Sequence, residues 1–476
     1  MLKTGKFFID GQWVAPLSSE QFNLISPVTE KMSERIAAGR ADDIDRAVAA
    51  AKGAFADFSL STVAERIELL KSLKDVFSRR SGDIADLITM EMGAPVKTVA
   101  GQNKMALSGL DDLIALMATV KLETVENGML ILHEPLGVVG MITPWNAPIN
   151  QIASKFFPAL AAGCTAVVKP SEFSPLSPLL FAEIVAEAGV PKGVFNLVNG
   201  LGAEAGAALA AHPDVDMISF TGSVRTGAMI AKAGADTVKR VHQELGGKSP
   251  NVILDDADLE IAVKRGVQLC FNNSGQVCTS PTRMLVPAAL QDEVVRLARE
   301  AAEAIQVGSP DNPETDMGPL VNELQFGRVQ QMIESGISGG ATLVTGGLGR
   351  PDGMEGGYFV KPTVFANVTP DMGIAREEIF GPVLSIIAYA DEAEAIRIAN
   401  DTVFGLAAHV QSRDVVRAER VGRSIRAGMV TLNYGQRHIS APFGGYKQSG
   451  NGRVFGIHGL NEYFEVKTIV GSSMAN

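Results

Sequence analysis

A chain of 476 residues is longer than one hydrophobic core supports, so two or more domains are expected. Its 46% hydrophobic and 20% charged residues are those of an ordinary soluble globular protein, and a net charge of −11 without any basic run argues against a nucleic-acid surface. Three cysteines without paired spacing exclude a disulfide framework, and neither they nor the six histidines carry a metal-binding spacing.

The first ten residues lack an apolar core long enough for a secretory signal, and no apolar stretch reaches membrane-spanning length. A soluble protein of the reducing cytoplasm is the expectation, with no membrane or nucleic-acid partner.

In chain order, Phe7 to Val14 reads as a hairpin on an Asp10-Gly11 turn. Ile44, Val48, Ala51 and Phe55 repeat at helical spacing between Asp42 and Phe58, and a longer helical region runs from about Val63 to Met92. From His133 the texture changes. Short apolar runs at Val138–Ile142, Thr165–Val168, Val194–Val198 and Met217–Phe220 alternate with amphipathic segments such as Pro178 to Ala188 and Gly202 to Ala211. Strand, helix, strand at this spacing implies parallel βαβ units in a doubly wound sheet, with ligands at the carboxyl ends of the strands. A second series begins near Asn251 and runs through Met284–Val286, Leu384–Ile387 and Val430–Leu432. The expected fold class is therefore α/β, with two doubly wound, Rossmann-like domains meeting near Gly246-Gly247.

Several motifs compete. Gly200-Leu201-Gly202-Ala203-Glu204-Ala205 matches a dinucleotide fingerprint, and a tight turn explains the same glycines equally well. Gly222 and Ser223 also follow a strand and open a helix whose free N–H groups suit phosphate. Gly336 to Gly340 fits GxSxG, but a helical pattern precedes it where a nucleophile elbow needs a strand, so a helix end and turn are expected. Gly246-Gly247-Lys248-Ser249 fails as a Walker loop because His242 stands where the first glycine is required.

Among the cysteines, Cys164 and Cys270 sit in apolar company, whereas Cys278 lies in Asn273-Ser274-Gly275-Gln276-Val277-Cys278-Thr279-Ser280, where a thiol can be approached. Asn146, Lys169, Glu244 and Glu378 each lie near an apolar run. Taken singly, each reads first as a solvated loop residue; with Cys278 they make a set of thiol, base, amide donor and ribose-binding groups.

Six segments in this order resemble the aldehyde dehydrogenase superfamily: Thr143-Pro144-Trp145-Asn146, Phe220-Thr221-Gly222-Ser223, Glu244-Leu245-Gly246-Gly247-Lys248-Ser249-Pro250, Gly275-Gln276-Val277-Cys278, Glu378-Ile379-Phe380-Gly381-Pro382 and Pro442-Phe443-Gly444-Gly445-Tyr446-Lys447. The resemblance covers about Phe8 to Thr468. It implies an NAD-binding domain (1–113 and 134–246), a catalytic domain (247–446), and a small β oligomerisation arm with the C-terminal segment (114–133 and 447–476).

It also implies that Cys278 is the nucleophile on a small-molecule aldehyde, forming a thiohemiacetal and then a thioester. Asn146 would hold the oxyanion, Glu244 would activate the hydrolytic water, and Lys155 would assist proton traffic. The cofactor would be NAD, with NADP possible. Lys169 and Glu172, with Ser171, would meet the adenosine ribose; Glu378 and Phe380 the nicotinamide ribose and ring; Gly222 and Ser223 the pyrophosphate. Ile142, Thr143, Pro144, Trp145, Gly202, Phe220, Leu245 and Gly246 would complete the cofactor contacts.

The chain departs from the family pattern at Val454, where hydrolytic relatives often carry a second glutamate. Ala147, Ser154 and Asn272 stand at tunnel positions that are often aromatic, and Gln436, Arg437 and His438 precede Pro442. These suggest a polar aldehyde, anionic or hydroxylated, drawn by Arg437, which equally well faces solvent. Arg240, Arg453 and Glu465 match an interface charge network, so a homodimer or homotetramer is expected. Two alternatives stand beside the main reading: a dedicated semialdehyde dehydrogenase for an anionic substrate, and a non-catalytic structural protein on the same fold.

Overall fold

The computed structural model describes residues 2–472. The hairpin forms as β1 (Phe7–Ile9) and β2 (Gln12–Val14), with Asp10 and Gly11 at positive φ of 52° and 70°, the backbone a two-residue turn with right-handed twist requires. A ribbon follows, β3 (Gln21–Ile25) with β4 (Met32–Ala37). The helical region from Val63 to Met92 divides into Val63–Arg79 and Ser81–Met92. Thr62 caps the first of these in a reciprocal capping box with Glu65.

The remaining strands in chain order are β5 (Glu123–Glu126), β6 (Met129–Pro135), β7 (Val138–Ile142), β8 (Thr165–Lys169), β9 (Phe195–Leu197), β10 (Met217–Thr221) and β11 (Arg240–Glu244), followed by β12 (Pro250–Ile253), β13 (Arg283–Pro287), β14 (Thr342–Thr345), β15 (Thr363–Ala366), β16 (Val383–Tyr389), β17 (Ala407–Gln411), β18 (Met429–Leu432), β19 (Gly450–Asn451) and β20 (Phe464–Val470). The first sheet has the order β19-β11-β10-β7-β8-β9-β1-β2, and its middle five strands are parallel. The chain lays β8 and β9 on one side of β7, then returns to place β10 and β11 on the other. Ile142, Lys169, Thr221 and Glu244 are the last residues of their strands and so stand along one edge, where a doubly wound sheet opens its crevice.

Alternate residues of these strands feed two cores. Val139, Met141, Ala166 and Val168 pack on one face of the sheet and Val138, Ile142 and Val167 on the other, the period-two pattern of a sheet covered by helices on both sides. The second sheet, β14-β15-β16-β13-β12-β17-β18, is parallel except at β14 and is sandwiched in the same way, with Leu285 in one cluster and Met284 and Val286 in the other. The change of sheet falls between Glu244 and Pro250.

The arm is a three-stranded antiparallel sheet, β20-β6-β5. Its extent differs from the expected 114–133 and 447–476. Ile114 lies in the last turn of the helix Val96–Met117, because the apolar periodicity of that helix continues through Leu113 to Met117. Gly450–Asn451 joins the first sheet by antiparallel pairing with β11, so this part of the C-terminal segment belongs beside the parallel strands of that sheet. Residues 473–476 of the expected arm segment lie outside the described residues. Arg240 ties β11 to the arm through the carbonyls of Glu462 and Phe464 and an ion pair with Glu465 at 2.9 Å. Arg453 takes a different course, donating to the carbonyls of Gly445 and Gly452.

The remaining motifs resolve as turns. Gly336 lies inside the helix Glu323–Ser338, and Gly202 opens a single wide helical turn, Gly202–Gly206.

Candidate active site

The stretch around Cys278 leaves the helix Leu259–Phe271 through Asn273 and Ser274, both at positive φ (53° and 59°), a backbone held only because its side chains are fixed. Ser274 Oγ donates to the Gly318 carbonyl at 2.8 Å, and the Gln276 side chain bridges the Asn273 carbonyl and the Val321 N–H. Glycine is required at 275: a β-carbon there would strike the backbone of Gly381 and Pro382. Cys278 is thereby presented at a partly accessible position, whereas Cys164 and Cys270 are buried.

Asn146 precedes the helix Pro148–Ala162 and is 7% exposed. Its Nδ2 donates to the Gln276 carbonyl at 2.9 Å, while Asn273 Nδ2 donates to the Asn146 carbonyl at 3.0 Å. These two bonds lock the end of β7 to the cysteine loop. They use one of the two N–H bonds of the Asn146 amide and leave the second for another acceptor.

Lys155, two turns along the same helix, is fully buried, and its ammonium donates to Thr221 Oγ1 at 2.7 Å. Glu244 ends β11 and is 5% exposed, with neither carboxylate oxygen hydrogen-bonded. Gly444 closes over it, since a β-carbon there would lie 2.9 Å from Glu244 Oε1.

The electrostatics follow from burial. Burial pushes Glu244 up toward about 8 against the opposing fields of Lys155 and Arg453. Burial lowers Lys155 to about 8, opposed by Glu244 and Cys278. The Cys278 thiol is raised to about 12 by burial and by the carboxylates of Glu378 and Glu244, although the N–H groups of Cys278 and Thr279 favour the thiolate. The same burial thus favours the thiol form of Cys278 and raises the basicity of Glu244.

Along the sheet edge, Lys169 is 2% exposed and pairs with Glu172 at 3.1 Å, and the other Glu172 oxygen accepts the Gly202 N–H at 3.3 Å. Burial disfavours ionised Glu172, but Lys169 and the backbone donors outweigh it and hold the carboxylate charged. Ser171 is bound up locally, accepting from the Phe173 N–H. Thr143 N–H donates to the Lys169 carbonyl, which fixes the end of β7 to that of β8.

Ser223 caps the helix Val224–Ala235 by accepting the Thr226 N–H, and the Phe220 ring lies against Gly222, where no side chain would fit. Glu378 fits against Gly246 and accepts the Gly247 N–H at 3.0 Å. The Phe380 and Trp145 rings meet edge to face at 5.4 Å. Leu245 is buried against Gly227 on the opposite side of that backbone. A paired Lys and carboxylate, a capped helix N-terminus beside a glycine, a second buried carboxylate and an aromatic pair fit a dinucleotide laid across the strand ends.

Not every expected residue joins this group. Asn272 is exposed, and Arg437 stacks on Phe443 and Phe455 at 5.4 and 4.8 Å. Ser154, beside Lys155 on the same helix, lines a narrow, partly open cleft whose walls include Leu113, Leu116, Phe157, Phe455 and Leu460. Thr221, Asn273, Gln276 and His242 carry no expectation from sequence, yet each holds or faces one of the groups above. For His242 a signal existed: it precedes Glu244 by two residues on a strand, which places both side chains on one face.

The fold and this cluster, a thiol, an amide and a buried carboxylate beside a crevice suited to a dinucleotide, are those of an α/β oxidoreductase. The sequence model of the Aldehyde dehydrogenase family matches residues 13–469, and the chain belongs to that family. It is 50% identical over 469 residues to a 3-succinoylsemialdehyde-pyridine dehydrogenase of a Pseudomonas species, covering 98% of both chains. Aldehyde dehydrogenase C of Pseudomonas syringae, solved as a Cys-to-Ala variant with NAD+ and octanal, superposes with a TM-score of 0.97 at 52% identity, covering 98% of this chain and 97% of that one. Betaine aldehyde dehydrogenase of Staphylococcus aureus, solved with NAD+, gives a TM-score of 0.95 at 34% identity, covering 98% and 94%.

Proposed function

We propose that this chain oxidises aldehydes to carboxylic acids with NAD, through a thioester on Cys278. The observation that carries the reading is the convergence of Asn146, Lys155 and Glu244, from the end of β7, the helix that follows it and the end of β11, on the loop that presents Cys278. Glu244 takes the thiol proton and the sulfur attacks the aldehyde carbon. The free N–H of Asn146 and the Cys278 backbone N–H receive the developing oxyanion. The bound nicotinamide supplies the hydride acceptor. Once Glu244 has released the thiol proton toward solvent, it draws a proton from water, the hydroxide adds to the thioester, and the acid departs as the sulfur leaves as a thiolate and is reprotonated.

Lys169, Glu172, Ser223, Glu378 and Phe380 are the groups assigned to hold the cofactor. Glu172 disfavours a 2′-phosphate, so NAD is preferred. Replacing Glu172 by Gln is expected to raise kcat/KM with NADP about tenfold, equivalent to ~1.4 kcal/mol, while weakening NAD. Parallel initial rates with the two cofactors check this.

The cleft beside Ser154 is assigned to the aldehyde's side chain. Its apolar walls, with Asp112 among the lining residues, favour an uncharged, largely apolar substituent over the anionic one suggested by Arg437. The octanal bound to the Pseudomonas syringae relative, and the pyridine-bearing substrate named for the other relative, support this choice. The test is NADH formation from alkyl, aryl and carboxylated aldehydes of matched length. Equal or better rates with the carboxylated series would restore the anionic reading. A homodimer or homotetramer built on the arm is supported by the exposed apolar residues Val125, Val466 and Val470. Size-exclusion chromatography with light scattering checks it.

A further inference from the structure

His242 lies beneath the base and has no part in the steps above. It is 2% exposed, both ring nitrogens lack hydrogen-bond partners, and Nε2 stands 3.7 Å from Glu244 Oε1. A buried imidazole with nothing bound to either nitrogen calls for an explanation. On the far side of the ring runs the C-terminal segment. Gly452, at a φ of 76°, passes so close to His242 that a β-carbon there would lie 2.8 Å from Nε2 and 3.0 Å from Glu462 Oε1. Nε2 and the Glu462 carboxylate are therefore within a gap that one water spans. Glu462 is half-buried, is held by the Arg453 N–H at 3.0 Å, and reaches solvent.

The groups facing this pair are Lys155 from the helix Pro148–Ala162, Cys278 from its loop, and Arg453 and Glu462 from the C-terminal segment. Burial, then Lys155 and Arg453, keep His242 neutral down to about 3. Lys155 is itself sealed in the interior and engaged by Thr221. Val454 offers no carboxylate as an alternative acceptor.

We infer that His242 and Glu462 form the outlet through which Glu244 sheds its proton in each turnover, with His242 as the positioning residue and Glu462 as the group that meets the solvent. The inference rests on the reading of Glu244 as the base. A neutral imidazole presents N–H or a lone pair at Nε2 according to tautomer, so it can hold the ionised and the protonated forms of Glu244 in turn. The proton balance is simple. The proton taken from the attacking water leaves Glu244 for a water held at Nε2, that water passes a proton on to Glu462, and Glu462 releases it to bulk water, so the imidazole stays neutral and Glu244 is left ionised for the next cycle. Gly452 keeps the passage free of a side chain.

The test uses the full-length enzyme with NAD and an aldehyde that gives a burst of NADH, comparing Glu462→Gln, His242→Asn and Glu244→Gln. Glu462 is partly at the surface, so its substitution leaves the interior intact. The expected result is an unchanged burst with a steady-state rate reduced about tenfold in Glu462→Gln and His242→Asn, and partial restoration by added imidazole buffer, a small proton carrier that a merely structural defect would ignore. Steady-state rate and buffer dependence equal to the wild type in Glu462→Gln overturn the outlet. A Glu244→Gln enzyme with normal turnover instead overturns the assignment of the base, so the two failures are distinguishable.

Discussion

Replacing Cys278 by Ala is expected to abolish NADH formation with every aldehyde, a loss of at least about 10⁴-fold, while NAD binding measured by fluorescence titration stays intact. The size of the effect follows from the site. The only other thiols, Cys164 and Cys270, are buried, with burial raising them to about 11 and about 12, and neither touches the cluster around Asn146. Nothing else near the strand ends can form the thioester. The substitution removes one sulfur from a partly exposed side chain, so stability changes little. Trapping with a radiolabelled aldehyde separates the outcomes: no covalent adduct in Cys278→Ala supports the assignment, and residual turnover with adduct elsewhere contradicts it.

The loop alone marked Cys278 as the approachable thiol and the family resemblance supplied its role, whereas much of the fold shows in local pattern. Parallel strands buried on both faces show as short apolar runs, so β7, β8, β10 and β13 were legible to within a residue or two. Asn146, Glu244 and Cys278 lie near strand ends where ligands collect, but only the collinear segments of the family resemblance gave them roles.

What holds them was not legible. The Asn146 amide reaches the Gln276 carbonyl across 130 positions, and Lys155 finds Thr221 across 66. Partners chosen by tertiary packing leave no local pattern. The short pairing of Gly450–Asn451 with β11 was hidden for a related reason: it rests on main-chain hydrogen bonds between residues without apolar alternation. The family resemblance sets the arm's start at about Ile114, and no glycine or proline marks the helix end at Met117; the chain runs on through Ala118 in helical conformation. Arg437 reads as a substrate anchor from its charge alone, and only the positions of Phe443 and Phe455 show its guanidinium already stacked.

Glu244→Gln carries the second large effect, and it separates the two halves of the reaction. The amide keeps the shape of the carboxylate but cannot accept a proton from water, so thioester hydrolysis is expected to slow by about 10²- to 10⁴-fold. Hydride transfer in the first turnover is expected to fall far less, because the thiol can lose its proton to buffer before attack. Rapid-mixing absorbance would then show a burst of NADH followed by a nearly flat phase. The pH dependence tightens the argument. Burial raises Glu244, so its basic form accumulates only as pH climbs toward about 8. The steady-state rate of the unsubstituted enzyme should therefore rise with pH through that region instead of levelling in the ordinary carboxylate range. In Glu244→Gln this rise should vanish and leave only the shallow increase of hydroxide attack. A steady-state rate in the variant that matches the wild type, with the same pH profile, would show that another group activates the water, and that the buried carboxylate at the end of β11 only shapes the field around Cys278.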